Sequence, residues 1–195
     1  MLSSTHFAVG AATAMTVCRP KSFTETLLVG AVGGVIGIWP DCDLENSKIS
    51  KATNQLSLVI FGLLSLSFLV VRENINILNL GRLFKFFLGL ALFIGLTFFG
   101  RTRPHREFTH SLLCCGILCV IFYWVMPDLC KAVVSGALSH LAIDCLNRKK
   151  VRLFFPLQAG VKFDLCSSTG LGNRMLGVAA GAYCVIFVIL NMIIK

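Results

Sequence analysis

Charge is scarce in this chain. Only 14% of its 195 residues are charged and nine are acidic, while 56% are hydrophobic. Soluble domains average about 25% charged and about 45–50% apolar. A soluble core of this size cannot hide the excess, so lipid is expected to cover part of the surface, and a soluble enzyme is the disfavoured reading. Despite nine cysteines there is no C-x-x-C pair. Cys114, Cys115, Cys119 and Cys184 lie inside apolar runs, where cysteine behaves as a small hydrophobe, so neither a disulfide framework nor a thiolate zinc site is expected. There is no G-x-S-x-G elbow, P-loop or dinucleotide fingerprint, and the function classes those motifs serve have no support. Aromatic and basic residues do not interleave, so the net charge of +9 is no nucleic-acid signature. The basic residues instead cluster between apolar runs, at Arg101, Arg103 and Arg106 and at Arg148, Lys149, Lys150 and Arg152, as in loops that face anionic lipid. No basic n-region precedes the first apolar stretch, and His6 interrupts it, so that stretch reads as mature structure. No internal repeat, low-complexity tract or long linker divides the chain, and residues 1–195 read as a single integral-membrane domain.

What is present is a series of apolar segments punctuated by proline. Seven helices are expected: Ser4 to Val17, stopped near Pro20; Phe23 to Trp39, stopped by Pro40; Gln55 to Val71; Leu83 to Phe99; Thr109 to Met126, stopped by Pro127; Leu129 to Leu146; and Arg174 to Ile194. A spanning helix needs about 20 residues. The third, fourth, fifth and seventh meet that length; the first is short and mixed. Gly30, Ala31, Gly33, Gly34 and Gly37 in the second suggest close helix packing. The polar stretch from Asn147 to Asn173 is expected to lie as a loop over helix ends. The fold class is therefore all-α, a polytopic membrane bundle of six to seven helices.

Threading the segments alternately through a bilayer brings the polar motifs to one membrane face, although no polar residue was used to draw the segments. His6 opens the first helix, Asp41 and Asp43 follow the second, His105 and His110 lead into the fifth, and His140 and Asp144 end the sixth. Lys48, Lys51, Arg101, Arg103, Arg106, Arg148, Lys149, Lys150, Arg152, Lys162 and Arg174 fall on the same face, which favours the cytoplasmic side.

Each motif has a chemical reading. His140 and Asp144 are four apart and share a helix face, so they can grip one divalent ion, or the carboxylate can orient the imidazole. The alternative is a polar pair inside a bundle, but ionisable groups at membrane depth are costly and usually functional. Pro104 fixes the chain before a helix start, where His105 and His110 can both turn inward and free amides with Arg106 can hold an anion. Glu107 can be a ligand, a base, or a first-turn charge that suits the helix dipole. Asp41 and Asp43 form a D-x-D pair of the kind that shares a cation, or else a solvated turn. Histidine and carboxylate without thiolate suit zinc, with manganese or iron as alternatives. Asp164 reads as a solvated loop residue.

These motifs, in order, resemble the YdjM-like, LexA-regulated family of membrane-bound metal-dependent hydrolases. They are Thr5-His6, Pro40-Asp41-x-Asp43, His105-Arg106-x-x-Thr109-His110-Ser111 and Ser139-His140-x-x-x-Asp144, followed by Phe155-Pro156. The resemblance covers roughly residues 1 to 180. It implies a metal site of His6, Asp41, Asp43, His105, His110, His140 and Asp144 in a bacterial inner membrane. Members of that family often carry an acidic residue entering the final helix; here the segment is Gly172-Asn173-Arg174, so Asn173 stands as a neutral substitute or a ligand is missing. The expected function is hydrolysis of an ester or phosphoester, such as a phospholipid headgroup, with Arg106 steadying the oxyanion and Glu107 as the candidate base. A metal-ion transporter or other metal-binding protein without catalysis is the alternative, and a structural protein whose polar motifs pin helix ends is the third reading.

Overall fold

In a computed structural model of the chain, the structure describes residues 1–43, 62 and 80–193, apart from the side chains of Asp43 and Arg82. Every regular element among them is helical: α1 (Ser3–Cys18), α2 (Phe23–Ile38), a 3-10 turn (Trp39–Asp43), α3 (Leu80–Arg101), α4 (Leu112–Val125), α5 (Pro127–Cys145) and α6 (Leu171–Ile193). The helix expected over Gln55 to Val71, with Lys48 and Lys51, lies outside the described residues.

The helix ends follow local chemistry. Arg19 takes a left-handed conformation at φ 49° and its N–H closes on Met15 O, ending α1 just before Pro20. Ser22 caps α2 by accepting from Glu25 N, while Glu25 Oε2 accepts from Lys21 N, a variant of the reciprocal capping box. Pro40 tightens the end of α2 into the 3-10 turn that carries Asp41. Pro127 occupies the first position of α5, where its missing N–H costs nothing. The expected fifth helix starts later than its apolar pattern suggests. Ser111 caps α4 by accepting from Cys114 N, which leaves Thr109 and His110 ahead of the helix and shortens α4 to 14 residues. That is less than a span. Among the described residues, the segments long and apolar enough to cross a membrane are Phe23–Cys42, Leu83–Arg101 and Leu171–Ile193.

α1 packs against α2, α5 and α6, α5 touches α2 and α4, and α3 leans on α4. Glycine allows the tightest of these crossings. A Cβ on Gly33 would sit 2.7 Å from Gly10 O, one on Gly37 2.6 Å from His6 O, and one on Gly136 2.5 Å from Gly33 O. The backbones of α1, α2 and α5 therefore touch along one seam, as small-xxx-small pairs permit. The apolar core continues through Val32, Ile36, Leu118, Phe122 and Val133. The outer surface is also apolar: α6 exposes Val178, Val185, Ile186 and Ile193, and Asn173 is its one fully buried residue. Residues 147–170 lie over the helix ends, as expected. Phe163 N donates to Cys145 O, Leu165 N to Leu146 O, and Leu112 N to Leu153 O.

Candidate metal centre

The glycine seam sets the three helices that carry histidine or carboxylate against one another at a single end. His6 stands in the first turns of α1, Asp41 in the 3-10 turn after α2, His110 just ahead of α4, and His140 and Asp144 in the last turns of α5. His6, His110 and His140 are fully buried, and Asp144 is nearly so. One donor atom each from Asp41, His110, His140 and Asp144 falls within 4.8 Å of the others.

The atoms are turned for ligation. His140 Nδ1 lies 2.7 Å from Gly37 O. A carbonyl only accepts, so Nδ1 carries the proton and Nε2 presents its lone pair inward. Carbonyls that accept from the outer ring N–H orient metal-binding histidines in this way. His110 Nδ1 meets Thr109 Oγ1 at 2.9 Å, and its Nε2 lies 3.1 Å from His140 Nε2. Two imidazole nitrogens at that distance need a proton or a cation between them. Asp41 Oδ1 lies 3.5 Å from His110 Nε2 and 3.8 Å from His140 Nε2; Asp144 Oδ2 lies 3.6 and 3.9 Å from the same atoms. Two nitrogens and two oxygens thus converge on one small volume, a donor set that suits a borderline divalent ion.

Positive charge borders the carboxylates. Arg106 Nη2 stands 3.4 Å from Asp144 Oδ2, and the α-ammonium of Met1 lies 3.0 Å from Asp144 Oδ1. Arg106 holds a left-handed backbone at φ 70°, a conformation costing a non-glycine residue about 1–3 kcal/mol unless its surroundings enforce it. The loop enforces it here: Arg106 O accepts from Arg152 N, and Arg106 Nη1 donates to Lys149 O.

Not every expected residue joins the four. His6 stacks on His140 with ring centroids 3.9 Å apart, and its Nε2 is 3.3 Å from Asp144 Oδ1 and 4.0 Å from Asp41 Oδ2. His105 stands edge-on to His110 at 5.0 Å, outside the convergent set. Glu107 pairs with Arg152 on the rim. The side chain of Asp43 lies outside the described residues. One support carries no sequence signal, the Gly37 carbonyl, which no side chain announces; the Thr109 hydroxyl stands in the motif beside His110, though nothing there gives its direction.

A model of the YdjM inner membrane protein family matches residues 1–194. The chain belongs to that family. Family membership and the apolar helices make this YdjM-family chain a membrane protein. The uncharacterized protein YvsG of Bacillus subtilis (strain 168) is 35% identical over 77 residues, which is 38% of this chain and 48% of YvsG, so the match spans about half the length of that relative. No solved structure matches the chain.

Proposed function

We propose that this YdjM-family protein is a membrane-bound metal-dependent hydrolase acting on an ester or phosphoester, with the headgroup of a phospholipid as the substrate class. The observation that carries the reading is the convergence of Asp41, His110, His140 and Asp144 within 4.8 Å. Zinc suits this thiolate-free set best, and manganese or iron fits the same donors. A bound ion of this kind supplies Lewis acidity and lowers the pKa of water to about 7 in zinc enzymes.

The chain's own residues do the rest. Gly37 O and Thr109 Oγ1 hold the two imidazoles with Nε2 inward. Arg106, largely buried beside Asp144, offers a guanidinium at the rim to an anionic oxygen. Glu107, fixed by Arg152 next to it, is the rim carboxylate outside the ligand set and takes the proton. Lys149, Lys150 and Arg148 are exposed in the loop beside Arg106, where they attract anionic headgroups. The basic bias of this face supports a cytoplasmic orientation in the inner membrane. A transport path needs ligands near the bilayer midplane, whereas these ligands stand at helix ends.

The test is metal content by mass spectrometry on detergent-purified protein, for the wild type and for His140→Ala combined with Asp144→Ala. A stoichiometric transition metal in the first and none in the second, with helicity kept, is the expected result, followed by phosphoester turnover that the double variant lacks. A wild type that stays empty after incubation with zinc and manganese refutes the hydrolase reading.

A further inference from the structure

Asp41 and Asp144 each divide their two oxygens between different histidines. Asp41 Oδ1 and Asp144 Oδ2 face the His110–His140 pair at 3.5–3.9 Å. Asp41 Oδ2 and Asp144 Oδ1 face His6 Nε2, at 4.0 and 3.3 Å. A single ion between His110 and His140 engages only the first two oxygens. The other two, with His6, make a second group of donors on the α1 side of the carboxylates.

Two further observations point to a ligand on that side. His6 is fully buried; its Nδ1 has no hydrogen-bond partner among the described residues, and its Nε2 faces carboxylate oxygens alone, the nearer at 3.3 Å. Asn173 is fully buried too, and both its amide atoms lack a partner in the same sense. It stands in the first turn of α6, where its backbone carbonyl accepts from the hydroxyl of Thr5, the neighbour of His6, at 3.4 Å. Buried polar atoms are normally paired, and each one left unpaired costs about 1–3 kcal/mol.

We infer that the centre is dinuclear: Asp41 and Asp144 bridge one cation held by His110 and His140 and a second held by His6, with the Asn173 carboxamide oxygen as a neutral donor on the second side. The inference rests on the metal-centre reading above and deepens it. Two-metal sites clamp both the attacking and the leaving oxygen of an in-line displacement, so this arrangement narrows the substrate from esters in general to phosphoesters.

The experiment strips detergent-purified protein with a chelator, reloads it with Mn²⁺, and reads both stoichiometry and the electron paramagnetic resonance spectrum. Two ions per chain with an exchange-coupled signal are expected for the wild type. His6→Ala should hold one ion with the signal of an isolated Mn²⁺, and Asn173→Leu should weaken only the second binding step. The wild-type titration by itself keeps the question open to refutation should His6→Ala fail to fold. One ion in both the wild type and His6→Ala overturns the dinuclear centre and leaves the mononuclear one standing. Loss of all metal in a folded His6→Ala protein overturns it too, since His6 would then belong to a single site. No metal in the wild type overturns this inference and the hydrolase reading together.

Discussion

Gly37→Ala should damage the metal centre without removing any ligand. Gly37 lies where α2 meets α1, and an added Cβ would stand 2.6 Å from His6 O and 3.2 Å from Gly10 Cα. Both are backbone-borne atoms that no rotamer change can move aside. Restoring ordinary contact of about 3.4 Å requires α1 to retreat by roughly 0.8 Å. Overpacking of this kind costs about 1–3 kcal/mol, which for a chain of this size corresponds to a fall in Tm of about 2–12 °C. The same movement separates His6 from Asp144, now 3.3 Å apart, and disturbs the Gly37 carbonyl that orients His140 at 2.7 Å. Loss of a hydrogen bond that orients a ligand typically weakens metal binding by about 10–100-fold. Thermal unfolding in detergent and chelator competition for bound metal measure the two effects. Gly116→Ala is the control, because nothing lies within 4 Å of its added Cβ, and on an open helix face alanine should be neutral or gain up to about 1 kcal/mol. Wild-type melting and metal affinity in Gly37→Ala, or equal damage in Gly116→Ala, would refute the seam as the element that positions the ligands.

Substitutions at two further positions probe the surroundings. Trp39 Nε1 donates to Thr97 Oγ1 at 3.1 Å in a buried contact, so Thr97→Val should cost about 1–3 kcal/mol while Thr97→Ser keeps most of the stability; equal melting of the two variants would show that this bond contributes nothing. Glu107→Gln should leave metal content unchanged and lower phosphoester turnover by about 10²–10⁴-fold; wild-type turnover would confine Glu107 to its pairing with Arg152.

The helices were legible because apolar runs ended by Pro20, Pro40 and Pro127 leave few places for the boundaries. His140 and Asp144 were legible as a pair because four residues make one turn of helix. The start of α4 was misplaced because the apolar pattern after Thr109 continues without a break; Ser111, whose hydroxyl accepts from Cys114 N, was the signal that would have placed it. Small residues in α2 suggested close packing, yet their partners Gly10 and Gly136 depend on how separate helices align, which no local pattern records. A hydroxyl residue precedes His6, His110 and His140 alike. Only Thr109 turns its hydroxyl to a ring nitrogen; Thr5 points to Asn173 O and Ser139 to Gly136 O. Similar dipeptides thus serve different partners, because the helix turn and its neighbours set the direction of the hydroxyl.

The same geometry weighs against a purely structural role for the polar motifs. A motif that pins helix ends pairs donors with acceptors, as Ser111 does with Phe108 O and Cys114 N. The cluster holds more than such pairs. It gathers two carboxylates and three imidazoles in a nearly dry site and aims two nitrogens of like kind at each other across 3.1 Å. Gly37 O already takes the Nδ1 proton of His140, so that ring can offer only a lone pair on its inward side without becoming charged. Burying carboxylates and facing imidazole nitrogens is costly unless a proton or a cation stands among them. Arg106 meets Asp144 Oδ2 and the Met1 ammonium meets Asp144 Oδ1, but no Lys or Arg side chain is paired with Asp41 among the described residues. A divalent cation would meet Asp41 and the facing nitrogens at once, which one proton shared between His110 and His140 would not.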